Sequence, residues 1–335
     1  MPNSSWHRAS TVAAVLLAAI LSPSRAQAQQ QAQGFAVERF YPSAAGAGWF
    51  VMDALDMQGD LGGAMALTLG YARNPLRIAD GSQNLSVVSD EASADFGFAV
   101  TYRRFRLSLN MDMPLVITGN SGTLGGYSFK SPSVNPGTDP DTLADYRVGF
   151  DARILGQSDG PFRLGASAQL VIPNGRRGDY DTDDTFRGMV RALFAGDVGH
   201  FAYAGQLGVH LRPLDDSPTP GSPRGSELLF GAAGGAKLPV GRGADWAVVV
   251  GPEVYGATAL RSFFSSSDTA LEGLLSGRLE GTRVNRAQLR FKLGAGAGIN
   301  RQFGAPEWRV VVGIEMFNRN QRPTLLGSQV DVTNP

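Results

Sequence analysis

The sequence predicts an all-β fold, a transmembrane up-and-down antiparallel β-barrel of about twelve strands, with ten to fourteen as the range for the count. Segment after segment alternates apolar residues with polar residues or glycine, which is the period of two of a β-strand. The connections between the segments are alternately short and long. This rhythm is typical of a meander that crosses a membrane, whereas a soluble β-sandwich, the alternative fold, has no reason to show it.

The clearest strand covers residues 288–300. Its odd-numbered residues are all apolar, and its even-numbered residues are charged, polar or glycine. One face therefore meets an apolar environment, and the other carries Arg290 and Lys292. On this second face, Gly294, Gly296 and Gly298 predict a gap that water or a long side chain from a neighbouring element fills.

Further segments show the same alternation, each near the ~9 to 11 residues that a tilted strand needs to cross a bilayer. In chain order they are 63–71, 96–102, 105–113, 146–154, 162–170, 186–196, 201–212, 227–238, 246–255, 269–280 and 308–317.

The connections follow the rhythm with one exception. Short turns come after the second, fourth, sixth, eighth and tenth strands, and the eleventh connection, 301–306, is short where a long one is expected. An even strand count places both chain termini on the periplasmic side. The longer polar connections are expected at 74–93, 117–145, 173–185, 213–226 and 256–268.

Residues 1–28 are organised like a secretory signal peptide. His7 and Arg8 precede the apolar run 11–21, and the small residues Ala26 and Ala28 mark a cleavage site. The alternative, a membrane anchor, needs about 20 apolar residues, roughly twice the length of this run. The barrel is then expected over residues 63–317, with a C-terminal tail at 318–335.

Residues 29–62 show no period. Their aromatic residues, Phe35, Phe40, Tyr41, Trp49 and Phe50, are irregularly spaced. Three arrangements are compatible with this pattern: a segment along the periplasmic mouth, a plug inside the barrel, or a loosely ordered tail.

The charge balance excludes a polyanionic partner. The chain has 30 basic and 30 acidic residues and contains lysine only at positions 130, 237 and 292, whereas a nucleic-acid-binding protein is expected to show a basic excess or stripe. Cysteine is absent, which excludes disulfides, thiolate metal sites and a cysteine nucleophile. No cofactor is expected.

Two motifs suggest chemistry but lack the required context. Residues 156–160 match the G-x-S-x-G pattern, but Pro161 and another strand follow where a nucleophile elbow needs a helix. An enzyme acting on lipids would need Ser158 to meet a histidine such as His210, and we assign no catalytic residue. The aspartates of the third long connection lack the glycine and the closing glutamate of a calcium loop, so they are either solvated charges or a weak divalent-cation site; they are Asp179, Asp181, Asp183 and Asp184.

The polar face of the strands is expected to line the lumen. With Asp95 included, it carries twelve basic and six acidic residues. Two alternatives remain open, an interior closed by ion pairs and an open, mildly anion-favouring pore. The other candidate lumen-lining residues are Arg106, Asp112, Arg147, Asp151, Arg153, Arg163, Arg187, Arg191, Arg212, Lys237, Glu253, Glu272, Arg278, Arg290, Lys292, Arg309 and Glu315.

Four stretches, 69–76, 87–90, 250–256 and 303–311, resemble the barrel portion of OmpA-family outer-membrane proteins of myxobacterial type. The resemblance covers roughly residues 35–317 and implies an outer-membrane barrel. In that family a repeat linker and a peptidoglycan-binding domain usually follow the barrel. No matching residues follow residue 317 here, so the resemblance implies no wall-binding residue.

These patterns predict an integral protein of the outer membrane, exported by its signal peptide, that acts as a passive, porin-like pore for small solutes. The first alternative is a non-conducting structural or surface-binding barrel, and the second is a lipid-modifying enzyme. The expected partners are outer-membrane lipid and lipopolysaccharide, the barrel-assembly machinery during insertion, and small solutes.

Overall fold

The computed structural model describes residues 30–57, 59–135, 137, 143–158, 160–214, 225–240, 246–281 and 287–318. The predicted signal peptide, and the predicted tail beyond residue 318, lie outside this part of the chain. The barrel strands are β1 (Leu61–Asp80), β2 (Gln83–Tyr102), β3 (Phe105–Thr118), β4 (Tyr146–Leu155), β5 (Arg163–Ile172), β6 (Arg187–Val198), β7 (Phe201–Leu211), β8 (Glu227–Val240), β9 (Trp246–Ala259), β10 (Thr269–Gly281), β11 (Ala287–Asn300) and β12 (Trp308–Asn318).

These twelve strands form one closed antiparallel barrel. Each strand pairs with its neighbours in the sequence, and β12 pairs with β1, with Ala64 opposite Phe317 and Arg73 opposite Trp308. Closure leaves the described barrel without a free edge, as a sheet in lipid requires. The predicted fold class and all of the predicted strands are confirmed.

The two faces of the wall have opposite character. The outward face is apolar and exposed, as at Leu275 and Leu293, each 62% exposed. The inward face holds buried charges such as Asp151, Glu253 and Arg290. A water-soluble sandwich buries its apolar residues and exposes its charges, so this inverted arrangement is that of a barrel in lipid.

The prediction of a long first connection at 74–93 is wrong. β1 and β2 are 20 residues long each and continue through this region to a tight turn at Gly81. The period of two is broken by register shifts next to Arg73 and Leu76, where Asn74 has a positive φ of 50° and Pro75 follows. At these bulges the alternation of inward and outward side chains is interrupted. The period of two in the sequence therefore ends before the strands end.

The end of the barrel that carries the remaining long connections is called the long-loop end, and the opposite end the short-turn end. At the long-loop end, strands Gly122–Leu124 and Tyr127–Phe129 form a hairpin, and Gln30–Gln31 pairs parallel to it. Short 3-10 turns occupy Arg177–Asp179 and Leu260–Ser262. Among the described residues, no helix is long and apolar enough to cross a membrane.

Residues 30–60, the N-terminal segment, run through the barrel from end to end. Gln30 and Gln31 begin at the long-loop end, and the segment reaches the short-turn end where β1 starts at Leu61. Along the way the Ala36 N–H donates to Asp183 of a long connection. The first residue of β1 and the last residue of β12 therefore lie together at the short-turn end, and the first described residues lie at the opposite end.

The path of the N-terminal segment predicts the sidedness of chemical labelling. In oriented proteoliposomes, a membrane-impermeant maleimide should label Gln31→Cys from the same side as Ser267→Cys, a long-loop control, because both residues are exposed at that end. Arg104→Cys, in the turn between β2 and β3, should be labelled from the opposite side. The native chain has no cysteine, so all labelling reports the introduced thiol. Equal sidedness of positions 31 and 104 would disprove the threaded path.

Candidate functional site in the barrel lumen

The structure places the candidate lumen residues on the inward face of the wall. Asp112 and Arg191 are half-buried, and the Lys237 side chain, 41% exposed, lies at the short-turn end beside Asp197. The others are buried: Arg106, Arg147, Asp151, Arg153, Arg163, Arg187, Arg212, Glu253, Glu272, Arg278, Arg290, Lys292, Arg309 and Glu315.

Several of these charges pair within the wall. Glu315 accepts hydrogen bonds from Arg290 Nη1 and Lys292 Nζ, both at 2.6 Å, and Arg309 Nε donates to Glu272 at 2.8 Å. Such buried pairs offset the desolvation of both partners only when the geometry is good and the remaining hydrogen bonds are made. The arrangement is ordered and leaves no broad, freely charged surface on this part of the wall.

Sequence reasoning missed carboxylates that balance the basic excess. Glu38 and Asp53 of the N-terminal segment pair with Arg309 and Arg106, and Asp183 of a long connection pairs with Arg212. Because the N-terminal segment shows no period, its sequence did not indicate that Glu38 and Asp53 face wall arginines. Two further missed acids are in phase with inward positions and could have been found, because Glu227 lies an even number of residues from Lys237 and Asp145 lies two residues before Arg147.

Basic residues of the wall stack on the aromatic rings of the N-terminal segment. Guanidinium or ammonium groups lie 4.4 to 5.6 Å from the ring centroids, within the range of a cation–π interaction. A desolvated pair of this kind contributes up to about 2 kcal/mol. The pairs are Arg309 with Phe40, Arg147 with Tyr41, Arg278 with Trp49 and Lys292 with Phe50.

The wall also satisfies the backbone of the N-terminal segment. Glu253 is fully buried, and its two carboxylate oxygens accept hydrogen bonds from the N–H groups of Phe50 at 3.0 Å and Val51 at 2.9 Å. A carboxylate that accepts two backbone N–H groups makes charge-assisted bonds, which are stronger than neutral ones. We call this contact the Glu253 clamp.

Carbonyl groups of the same segment accept hydrogen bonds from wall cations. Arg147 Nη1 donates to the Pro42 carbonyl at 3.0 Å, Arg153 Nη1 to the Leu55 carbonyl at 3.3 Å and Lys292 Nζ to the Trp49 carbonyl at 3.4 Å. An unpaired carbonyl buried at this depth would cost several kcal/mol. The lumen charges therefore serve the enclosed chain as well as one another.

Apolar side chains of the N-terminal segment form a core with one side of the wall. Seven residues of the segment enter this cluster: Phe40, Trp49, Phe50, Val51, Met52, Leu55 and Met57. The wall residues of the cluster come from β6 to β10 and β12: Leu193, Ala195, Ala202, Ala204, Ala233, Val249, Tyr255, Leu274 and Val311. The lumen thus contains a packed apolar core, which the sequence did not indicate.

Glycines in the wall make room for the large side chains of this core. A Cβ atom at Gly294 would lie 3.1 Å from the Phe50 ring, and one at Gly231 would lie 2.4 Å from Met52 Cε. A Cβ atom at Gly165 would lie 2.7 Å from Leu55. The gap predicted at Gly294 is therefore real, and the side chain that fills it belongs to the N-terminal segment.

Two aspartates of the third long connection, Asp181 and Asp183, accept hydrogen bonds from other groups of this chain. Asp183 accepts hydrogen bonds from Arg212 at 2.7 and 2.8 Å and from the Ala36 N–H. Burial alone would raise the pKa of Asp183, but the guanidinium groups of Arg212 and Arg187 hold that pKa well below its usual range. Burial raises the pKa of Asp181 to about 7, although Asp181 accepts a hydrogen bond from the Arg176 N–H.

Ser158 and His210 are not brought together. Ser158 lies in the turn between β4 and β5 at the short-turn end and donates to Asp56 at 3.1 Å. His210 is the penultimate residue of β7, at the long-loop end, and faces Tyr41 and Glu227. These two residues lie at opposite ends of the barrel and cannot form a catalytic pair.

Of the cavities among the described residues, two small ones lie inside the barrel beside the N-terminal segment. The upper cavity, about 50 Å³, is lined by residues that include Thr68, Asp95 and Asp112. The lower cavity, about 20 Å³, lies nearer the short-turn end and is lined by residues that include Ala64 and Arg106. Both are lined in part by β1, β2 and β3, with β4 to β6 completing the upper cavity and β12 the lower one.

The glycine gap predicts a cost for a single methyl group. Gly294→Ala should destabilise the barrel by about 1 to 3 kcal/mol, the usual range for overpacking, because the new Cβ would lie 3.0 to 3.2 Å from Val311, Phe50 and Leu274. Denaturant unfolding in detergent measures the effect. Gly188→Ala is the control, since a Cβ there meets nothing within 4 Å, and it should leave stability unchanged or raise it. Equal behaviour of the two variants would contradict the packed gap.

No model of a protein family matches this chain, and no curated protein matches it. Among solved structures, an outer membrane channel from Pseudomonas putida F1 is similar at 13% identity and a TM-score of 0.52, over 79% of this chain and 97% of that one. This likeness shows a shared fold.

The NanC porin, at 8% identity over 76% of this chain and 99% of its own, has a TM-score of 0.45. The translocator domain of the autotransporter NalP from Neisseria meningitidis, at 10% identity over 79% and 90%, also has a TM-score of 0.45. These two similarities carry no further argument. The chain therefore shares its barrel architecture with an outer-membrane channel and is assigned to no family.

Proposed function

We propose that the protein is a passive pore for small solutes in an outer membrane, with a lumen narrowed by its own N-terminal segment. One observation carries the proposal: a chain segment with four aromatic residues, Phe40, Tyr41, Trp49 and Phe50, occupies the interior. A twelve-stranded wall encloses more space than its own side chains fill, unlike the smallest filled barrels. The wall by itself is a conduit, and the segment sets how much of it is open.

The apolar outer face and the expected signal peptide support insertion into the outer membrane from the periplasm. Lipid and lipopolysaccharide then surround the barrel, and the assembly machinery inserts it. The similar structure from Pseudomonas putida F1 is described as an outer membrane channel, which agrees with this proposal. No residue is proposed to be catalytic, and no cofactor is needed for passive diffusion.

A second candidate is a non-conducting structural barrel. The ion pairs around Glu315 and Glu272 and the Glu253 clamp favour this candidate, because they close the interior with buried, partnered charges. The two candidates differ in whether ions pass the N-terminal segment at all. Electrical recording separates them directly.

The proposed pore predicts that weakening the clamp increases conductance. In planar bilayers the purified protein should show small, stable current steps, and Glu253→Gln should show larger or noisier steps. The neutral amide loses the charge-assisted bonds to Phe50 and Val51, which loosens the segment without shortening the chain.

Two variants control this experiment. Glu315→Gln makes the same chemical change at a buried carboxylate whose partners, Arg290 and Lys292, belong to the wall, and it should leave the current nearer the native level. A Cβ at Gly97 would lie 3.6 Å from the Cβ of Ala45, which suits a disulfide. When Ala45→Cys and Gly97→Cys are combined with Glu253→Gln and oxidised, the disulfide should therefore abolish the increase in current that Glu253→Gln alone produces. An absence of current from the native protein and from Glu253→Gln would instead establish the non-conducting barrel.

A further inference from the structure

We propose that small cations cross the barrel along one defined route, between the N-terminal segment and the inward face of β1, β2 and β3. This inference rests on the proposed pore function and names its route and its preferred charge. The route joins the upper cavity to the lower cavity. Its narrowest point is the contact of Ala45 with the wall.

The N-terminal segment packs differently on the two sides of the lumen. Its large side chains from Phe40 to Met57 cluster with β6 to β10 and β12. At the long-loop end Phe35 and Val37 cluster with apolar residues of β1 to β3, but below that level only Ala45 of the described segment packs against this side, on Ala64, Ala66 and Ala99. There the inward residues of β1 to β3 are small or polar, and the backbone pairing stacks them in layers. From the long-loop end these layers are Gly70 with Ser93, then Thr68 with Asp95 and Asp112, then Ala66 with Gly97 and Asn110, then Ala64 with Ala99 and Ser108.

The two cavities lie on the same stack, separated by the layer of Ala66, Gly97 and Asn110. The upper cavity takes the layers of Ser93 and Asp95, and the lower cavity takes the layer of Ala64 and the Thr101 and Arg106 layer beyond it. A water molecule needs about 10 to 15 Å³ of such space. Both cavities, of about 50 and 20 Å³, can therefore hold water.

Only small side chains separate the cavities. A Cβ at Gly97 would lie 3.3 Å from Ala66 and 3.6 Å from Ala45, so one methyl group of the N-terminal segment closes the layer. Phe50 and Met52, by contrast, are held in glycine gaps on the opposite side. A small displacement of the segment opens this layer before it disturbs the apolar core.

The charges along the route favour cations. The upper cavity is lined by the carboxylates of Glu38, Asp95, Asp112 and Asp145, against the guanidinium groups of Arg147 and Arg187.

Asp95 and Asp112 lie directly opposite each other on paired strands, and like charges so placed destabilise a sheet unless something between them compensates. Asp95 pairs with Arg147. Within the described part of the chain, the Asp112 carboxylate has no ion pair and no side-chain hydrogen bond.

Unsatisfied polar atoms point to the same space. Arg187 is only 4% exposed and lines the upper cavity, yet its Nη1 has no hydrogen-bond partner among the described residues, and neither has the Tyr41 hydroxyl. Buried donors of this kind require water or a ligand. The upper cavity is therefore a hydrated, net acidic site next to the constriction.

Thiol modification tests the route without relying on current. Ag⁺ is a small cation that reacts with thiols, and alkylation of the denatured protein afterwards counts the thiols that Ag⁺ did not reach. Ser93→Cys and Ala66→Cys, on the route, should react roughly tenfold faster than Ala233→Cys and Ala204→Cys, which pack in the apolar core. Equal rates at the four positions would overturn the route.

Reversal potentials in a KCl gradient test the charge preference. The native protein should prefer K⁺, and Asp112→Asn should reduce the cation-to-anion permeability ratio roughly threefold or more, because it removes an acidic group that lines the upper cavity without an ion pair to any described residue. Asp112→Glu, which keeps the carboxylate, should retain the preference. Native anion preference, or an unchanged ratio in Asp112→Asn, would refute the cation route.

The two experiments separate the proposals. Fast Ag⁺ modification at positions 93 and 66 without any current would show that cations enter the space beside β1 to β3, and it would contradict both the pore function and passage across the barrel. Current with equal Ag⁺ rates supports the pore and contradicts this route. Heat-dependent gel mobility of each variant confirms that the barrel is folded before either result is read.

Discussion

The structure depends on one constraint, the need to satisfy an irregular backbone enclosed in the lumen. Among its described residues, the chain between residues 32 and 60 forms one isolated bridge, Gly48 with Asp53, and a few internal turns, so many of its N–H and C=O groups need partners in the wall. The Glu253 carboxylate accepts two of the N–H groups, and Arg147, Arg153 and Lys292 donate to carbonyls. A lumen lined only by apolar residues could not hold this segment.

The same wall cations have a second role, because they lie over the aromatic rings of the segment. A residue such as Lys292 contacts the Trp49 carbonyl, the Phe50 ring and the Glu315 carboxylate at once. The twofold basic excess on the strands is therefore largely used in holding the segment and in pairing with carboxylates from the segment and the connections. A count of the wall charges alone is compatible with an anion-favouring lumen, whereas the upper cavity is lined by four carboxylates and only two guanidinium groups.

The asymmetry of packing links stability to permeation. Large side chains in glycine gaps attach the segment to β5, β8 and β11, where overpacking or truncation is costly. Against β1 to β3, below the Phe35 and Val37 cluster at the long-loop end, the contact consists of small residues and carboxylates that line the upper cavity. One face can therefore remain fixed while the other opens, so a folded barrel and a permeable route are compatible.

The sequence by itself determined the strands and the face that each residue presents, because a period of two is a local property of an extended chain. The part of the strands that the sequence did not predict also has a local cause. Bulges near Asn74 interrupt the period of two, so the parts of β1 and β2 nearer the long-loop end were not recognised as strands. Only the tertiary structure decided the path of the N-terminal segment, the partners of Glu253 and the occupant of the gap at Gly294. Phe50 and Glu253 are 203 residues apart, and an aperiodic segment carries no pattern that specifies a contact over such a separation.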